Sequence, residues 1–156
     1  AFIRASYGNF TLAAVFGYSV GNDIFNYQHS VIEGGKNFYN QSTALVNRWR
    51  SEGQVTNVPR ISYDDEMGNS RFSDRWIEDG SYLKLRSLNL NYKVPVSTSW
   101  LQGLQVWVEA NNLFTLTKYL GGDPEMSTSN AVLYQGIDTG SIASGRTITV
   151  GLKLNL

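Results

Sequence analysis

The stretch that decides the fold is Arg146-Thr147-Ile148-Thr149-Val150-Gly151-Leu152-Lys153-Leu154-Asn155-Leu156. Large apolar residues alternate along it with polar or small ones, which is the period-two pattern of a β-strand. A strand of about ten residues with one apolar face is long enough to cross a bilayer at a tilt. The same pattern also suits a half-buried strand in a soluble sheet, so the rest of the chain has to decide between the two.

The composition favours β-structure and argues against several classes of protein. The 156 residues include 15 Gly and 3 Pro, 13% are aromatic, and 17% are charged, below the roughly 25% usual in globular domains. A net charge of +0 argues against a nucleic-acid partner, which needs a basic patch. The count of 0 Cys excludes disulfides and thiolate metal sites. No apolar run is long enough for a transmembrane helix.

Alternating patterns predict five strands, over residues 1–7, 10–20, 81–94, 104–118 and 146–156. Between the first two, Gly8-Asn9 is typical of a tight hairpin, because both residues tolerate positive φ. In the third strand the leucine alternation changes phase near Arg86-Ser87, which predicts either a β-bulge or the point where the strand rises out of the bilayer. Aromatic residues lie near several strand ends, as in the girdles of membrane barrels: Tyr7, Tyr18, Tyr92 and Trp100.

The predicted connections alternate between short and long. Polar segments at 21–80 and 119–145 are long loops, and a loop of about sixty residues is far outside the range usual in a compact soluble domain. Outer-membrane barrels do combine short periplasmic turns with long extracellular loops. Within the first long loop a short helix is expected in the range 42–50, capped by Asn40 or Ser42.

The predicted fold class is therefore all-β: a transmembrane, antiparallel, up-and-down β-barrel. Five strands cannot close a barrel, which takes about eight, and an open edge in lipid costs several kcal/mol for each unpaired backbone group. We expect the chain to be the carboxyl-terminal part of a larger barrel. Its last strand should pair with strand 104–118 on one side and with residues outside this sequence on the other.

Several blocks, in the same order, give nearly the whole chain a family resemblance. They resemble the carboxyl-terminal barrel region of the SusC/RagA family of TonB-dependent outer-membrane transporters of Bacteroidota. The longest block is Ser73-Asp74-Arg75-Trp76-Ile77-Glu78-Asp79-Gly80-Ser81-Tyr82-Leu83-Lys84-Leu85-Arg86. The others are Arg48-Trp49, Asn57-Val58-Pro59-Arg60, Asn111-Asn112-Leu113-Phe114-Thr115-Leu116-Thr117-Lys118-Tyr119, Gly122-Asp123-Pro124-Glu125 and Gly136-Ile137-Asp138.

The resemblance implies a barrel of about 22 strands in the outer membrane, with loops at the cell surface and the carboxyl terminus in the periplasm. It implies TonB-dependent import of a large nutrient, an oligosaccharide or an oligopeptide. The implied partners are the rest of the barrel with its plug domain, outer-membrane lipid, a SusD-like surface lipoprotein, and the TonB complex through a segment upstream of this sequence. The alternative function is a soluble β-sandwich carbohydrate-binding module, against which the long loop argues.

Two groups of residues are candidates for functional contacts. Exposed aromatic rings can bind sugars or partner proteins, and the predicted loops contain four such candidates, with packing inside the loops as the alternative: Tyr39, Trp49, Trp76 and Tyr134. In the fourth strand, three residues alternate against the apolar row and are expected to face the lumen or the plug: Trp107, Glu109 and Asn111.

The residue patterns predict no enzyme, no cofactor and no metal site. Adjacent Glu78 and Asp79 would point to opposite faces of an extended chain, so a structural role is expected. Asp64-Asp65-Glu66 with Asn69 offers oxygen ligands for calcium, but its spacing favours a solvated loop tip. His29, the 1 His, is expected to be an exposed loop residue, because a triad or zinc site needs further partners.

Overall fold

The computed structural model describes residues 1–36, 38–96, 98, 100–129 and 131–155. Its strands are β1 Phe2–Tyr7, β2 Phe10–Ser19, β3 Asp23–Asn26, β4 Ile77–Asp79, β5 Tyr82–Val94, β6 Gly103–Thr117, β7 Ile137–Asp138 and β8 Thr147–Asn155. An α-helix, α1, spans Tyr27–Glu33, and short 3-10 helices span Thr43–Asn47, Tyr63–Asp65, Asp74–Trp76 and Val132–Tyr134. None of the helices in these described ranges is long and apolar enough to cross a membrane.

The chain divides into two compact units. The first combines Ala1–Gly21, Ser81–Lys118 and Ala143–Leu156, and the second combines Asn22–Gly80 and Tyr119–Ile142. The first unit contains the five strands expected from the sequence, and the second is built from the two segments expected to be long loops. The strands and the core of each unit are therefore described separately.

The first unit is an antiparallel sheet in the order β1-β2-β5-β6-β8. At the hairpin, Gly8 has a φ of 55°, which glycine adopts without steric cost, and Tyr7 pairs with Phe10. β8 pairs antiparallel with β6 along its whole length, which confirms the predicted neighbour on that side. Leu156, the last residue of that predicted strand, lies outside the described residues.

A bulge crosses the middle of the first sheet, which is the first of the two alternatives that the sequence predicted there. Arg86 lies between two consecutive pairs of the β2–β5 ladder, so β5 has one extra residue there. In the β5–β6 ladder, Arg86 lies opposite two residues of β6, Asn112 and Leu113. The number of inserted residues is thus zero in β2, one in β5 and two in β6. Only an odd number reverses the alternation, so the leucine pattern changes phase in β5 alone.

The second unit has a small sheet in the order β4-β3-β7, which the sequence did not predict. β3 pairs antiparallel with β4 and parallel with β7. These strands have 4, 3 and 2 residues, too few to establish a period-two pattern. Their partners are also far apart in the sequence, so no local hairpin signal marks them.

The core of the second unit forms around Trp76, which is 0% exposed, and Ile24, which is 2% exposed. Leu45 also contributes, from the segment where a helix was expected. That helix is a 3-10 helix of 5 residues, Thr43–Asn47, and Ser42 caps it by accepting a hydrogen bond from the Ala44 backbone N–H at 3.2 Å.

Candidate functional site

One face of the first sheet is apolar across all five strands. Residues that pair across a ladder share a face, and the pairs place aliphatic and aromatic side chains together in rows. Many of these side chains are exposed: Val150 is 66% and Leu152 69% accessible. Such exposure does not fit a β-sandwich, whose apolar face packs against a second sheet. The rows are Ile3, Ala14, Leu88, Ala110, Ile148; Ala5, Leu12, Leu90, Val108, Val150; and Tyr7, Phe10, Tyr92, Val106, Leu152.

Aromatic side chains lie at both ends of this apolar face. The Phe10 and Tyr92 rings stack with their centroids 4.4 Å apart, in the row nearest the Gly8-Asn9 turn. At the other end, beyond the bulge, Tyr18 pairs with Leu83. The bulge keeps the leucines before and after it on the same face, although the sequence pattern shifts between them.

The opposite face of the sheet is polar and contains the three residues predicted to point away from the apolar row. The carboxylate of Glu109 accepts hydrogen bonds from Asn111 Nδ2 at 3.1 Å and from Asn89 Nδ2 at 3.3 Å. Trp107 pairs with Gly151, and a Cβ at position 151 would collide with the indole. Glycine therefore lets the Trp107 ring lie across β8.

Glu78 joins several segments of the second unit. Its Oε1 accepts from Asn26 Nδ2 at 3.1 Å and lies 2.8 Å from His29 Nδ1, and its Oε2 accepts from the Leu120 backbone N–H at 2.9 Å. A single carboxylate thus connects β3, α1, β4 and the chain that follows β6. This supports the structural role expected for Glu78.

His29 is not the exposed loop residue expected from the sequence. It lies in α1 with its side chain 19% exposed, and its Nε2 is 3.0 Å from Glu33 Oε2. Its ring meets the edge of Trp76 with centroids 5.3 Å apart. No sequence pattern marks this position, because a helix of 7 residues is too short for a reliable helical period.

Arg75 lies over the Trp76 ring, with its guanidinium carbon 4.6 Å from the ring centroid. One guanidinium nitrogen is 3.8 Å from Glu33 Oε2. Burial lowers the pKa of Arg75 from its ordinary value, and the negative charge of Glu33 opposes that shift. Arginine remains charged in proteins at any physiological pH, so this side chain is a fixed cation.

A buried pair connects the end of β7 to the chain after β6. The Tyr119 hydroxyl donates to Asp138 Oδ2 at 2.5 Å, and Asp138 Oδ1 accepts from the Gly140 backbone N–H at 2.8 Å. Burial and the Asp138 carboxylate both raise the pKa of Tyr119, so its phenol stays a hydrogen-bond donor. Asp138 also pairs with Asn26 of β3.

A cavity of about 860 Å³ opens in the second unit. Trp49 forms part of its wall and is held there by a backbone hydrogen bond to the Val58 carbonyl at 2.9 Å. Ser62 Oγ is buried and has no hydrogen-bond partner within the described ranges. The cavity is lined by Trp49, Thr56, Asn57, Val58, Pro59, Arg60, Ile61, Ser62, Glu66, Met67, Asn69 and Arg75.

The four aromatic residues proposed as contact residues differ in burial and in their position relative to the cavity. Trp49 lines the cavity. Trp76 is fully buried and donates its indole N–H to the Arg71 carbonyl at 3.0 Å. It therefore packs inside the unit and cannot touch a ligand, which corrects its assignment as a contact residue. Tyr39 and Tyr134 are 75% and 56% exposed and lie outside the cavity lining.

The acidic run at 64–66 folds back on its own backbone. Asp65 accepts hydrogen bonds from the Asn69 N–H at 2.6 Å, the Ser70 N–H at 3.0 Å and the Ser70 hydroxyl at 2.5 Å. Both Asp64 and Asp65 have positive φ, of 61° and 53°. In the part of the chain that the structure describes, no group of three acidic or histidine side chains could hold a metal ion.

Known proteins similar to this chain are bacterial receptors. TonB-dependent receptor P3 of Formosa agariphila is 34% identical over 156 residues, covering 95% of this chain and 15% of the receptor. TonB-dependent receptor P26 of the same organism is 28% identical, covering 96% of this chain and 16% of the receptor. The chain thus spans less than a fifth of the relatives it matches. No protein-family model matches it.

Solved structures with a similar fold come from an importer. The RagAB peptide importer in its 'open-open' state matches with a TM-score of 0.80 and 26% identity, covering 97% of this chain and 16% of that one. The 'closed-closed' state gives a TM-score of 0.79. The matched proteins are receptors and importers rather than enzymes, and they indicate an outer-membrane protein. These comparisons confirm the resemblance to SusC/RagA-type TonB-dependent receptors, and the chain is consistent with a carboxyl-terminal part of such a receptor.

Proposed function

We propose that this chain forms wall strands of an outer-membrane barrel that imports a large nutrient with energy from TonB. The observation that carries the proposal is the exposed apolar face, which runs through all five strands of the first sheet. From Phe10 to Tyr18, β2 rises roughly 26 Å along the strand, or about 20 Å along the membrane normal at a tilt of about 40°. That is close to the apolar band of about 25 Å in such barrels.

In this proposal the apolar face contacts lipid and the polar face lines the interior. Trp107, Glu109 and Asn111 then face the lumen or the plug domain. The two edge strands, β1 and β8, pair with strands of the same receptor outside this sequence, in a barrel of about 22 strands. Closure of that kind leaves no strand edge open to lipid.

The second unit, in this proposal, belongs to the cell-surface side, and the Gly8-Asn9 turn, the connection between β5 and β6 and the carboxyl end of β8 lie on the periplasmic side. There the second unit would meet cargo and a SusD-like surface lipoprotein. TonB would act through the plug domain and the upstream segment. The cargo is an oligosaccharide or an oligopeptide, and the peptide importer RagAB, with its similar fold, supports the second of these.

Spin labels on adjacent residues of β8 test the membrane placement. This segment has 0 Cys; in an intact receptor whose cysteines elsewhere are replaced by serine, Val150→Cys and Thr149→Cys can each be labelled after reconstitution in liposomes. Oxygen, which concentrates in lipid, should relax the label at 150 more than a water-soluble nickel chelate does. The label at 149 should show less oxygen contact. Two labels that are both readily reached by the nickel chelate would rule out a lipid-facing sheet.

A further inference from the structure

The lining of the cavity in the second unit contains more positively than negatively charged side chains. Two arginines line it, Arg60 and Arg75, against one carboxylate, Glu66. Arg60 is exposed, and Arg75 is held in place by its packing on Trp76. At 3.8 Å, the contact between Arg75 and Glu33 is too long for a hydrogen bond. The guanidinium groups therefore retain donors with which to bind an anion.

The rest of the lining combines apolar surface with polar groups that can still accept a partner. Trp49 and Met67 provide the larger apolar side chains. A buried hydroxyl normally has a hydrogen-bond partner, whereas Ser62 Oγ finds none among the described residues. Residues 59–62 belong to no helix or strand, so their backbone groups are not engaged in a ladder.

These features suit a peptide better than a sugar. A saccharide offers hydroxyl groups on every side and needs many side-chain amides and carboxylates around it. Here the lining has two amide side chains, Asn57 and Asn69, of which Asn69 Nδ2 already donates to the Arg60 carbonyl at 3.0 Å. Glu66 is the one lining carboxylate among the described residues. A peptide instead presents alternating N–H and C=O groups, which irregular backbone can pair with.

We propose that this cavity binds a short acidic peptide, a segment of the imported cargo. Arg60 and Arg75 hold a carboxylate, since guanidinium groups match its geometry. Trp49 and Met67 contact an apolar side chain. The volume of about 860 Å³ is within the range of roughly 300–1,000 Å³ for small-ligand sites. This inference rests on the proposed import function and assigns its class of cargo.

Fluorescence anisotropy on the intact, detergent-solubilised receptor tests the site. The probe is a labelled pentapeptide with two glutamates and one leucine, and its counterpart carries glutamines instead. Arg60→Gln should weaken binding of the acidic probe about tenfold and leave binding of the glutamine probe unchanged. The matched control is Arg50→Gln, which removes an exposed arginine of the same segment outside the cavity lining and should change neither affinity.

Three outcomes would overturn the inference: equal affinity of the unmodified receptor for both peptides, an equal loss in the two arginine variants, or no peptide binding at all. Stronger competition by trigalacturonate than by unlabelled acidic peptide would assign the cavity to an acidic saccharide and overturn it as well. Spin labelling at position 150 of the same receptor, reconstituted in liposomes, keeps the proposals apart. A lipid-facing Val150 with no peptide binding counts against the cavity site alone.

Discussion

The block from Ser73 to Arg86 contains three residues with different structural roles in the second unit. Trp76 fills the core, Glu78 connects separate segments, and Gly80 lets Ile24 approach. A Cβ at position 80 would lie 2.6 Å from Ile24 Cγ1, closer than packed atoms allow. A resemblance that depends on these residues therefore concerns the fold of the unit.

The charge on Asp65 orders the turn that follows it. Burial would raise the pKa of Asp65, but hydrogen bonds from Ser70 and Asn69 outweigh burial and hold it below its ordinary value. Because the folded-state pKa is depressed, the stabilisation is complete above the ordinary aspartate pKa and is lost as pH falls through the folded value. Hydrogen exchange in the intact receptor should show the amides of Asn69 and Ser70 protected at neutral pH and deprotected in acid.

Two substitutions separate this effect from general acid unfolding. Asp65→Asn removes the titrating group, so protection of the Asn69 and Ser70 amides should be weak at neutral pH and nearly independent of pH. Asp64→Asn changes the exposed neighbour, which also has positive φ, and should leave the pH dependence intact. If Asp65→Asn kept the full pH dependence, another group would have to control the turn.

At the scale of elements, the length of a strand decided whether the sequence could predict it. β8 has 9 residues and β6 has 15, enough for an alternation that stands out from chance. β3, β7 and α1 are too short, and β3 depends on strands distant in sequence. The second unit therefore could not be predicted from local patterns, although its residues Glu78 and Asp138 were recognisable as parts of family blocks.

The bulge in β6 depends on the backbone conformation of Asn112, whose φ is 55°. A β-branched residue is strained in that region, whereas glycine is not. Asn112→Ile should therefore destabilise the folded receptor by about 1–2 kcal/mol relative to Asn112→Gly. The measurement is the urea concentration at which the reconstituted receptor unfolds.

The glycine variant is the matched control because both substitutions remove the hydrogen bond from Asn112 Nδ2 to the Gly145 carbonyl at 3.3 Å. The lost hydrogen bond therefore cancels, and the strained backbone of isoleucine has to outweigh the greater freedom that glycine has in the unfolded chain. Equal unfolding midpoints for the two variants would mean that position 112 does not need a left-handed backbone in the assembled receptor.

At the scale of the whole molecule, alternation in the sequence predicted which residues share a face but not which residues line a cavity. Trp107, Glu109 and Asn111 lie together on the polar face as expected, because a strand fixes the side to which each residue points. Loop residues have no such constraint. Trp49 and Trp76 are both tryptophans of a predicted loop, yet Trp49 lies in a cavity wall and Trp76 lies in the core. Only the tertiary fold distinguishes their positions.

A pair of substitutions near the middle of β8 tests whether the whole sheet stands in lipid. Val150 belongs to the apolar face and Thr149 to the polar face. An arginine on the lipid side near the bilayer centre costs about 2–4 kcal/mol, whereas one on the interior side can stay hydrated. Val150→Arg should therefore lower the free energy of unfolding of the reconstituted receptor by about that amount, and Thr149→Arg should lower it by much less.

The comparison between the two variants is informative because the residues are adjacent and the added charge is the same. Differences in expression, strand propensity or distance from the carboxyl end largely cancel, so the side of the sheet remains as the main variable. If the sheet were instead covered by protein on its apolar side, Val150→Arg would still destabilise it, but in detergent and bilayer alike. Lipid contact predicts a cost that grows with bilayer thickness, because the charge is then held farther from water at either surface.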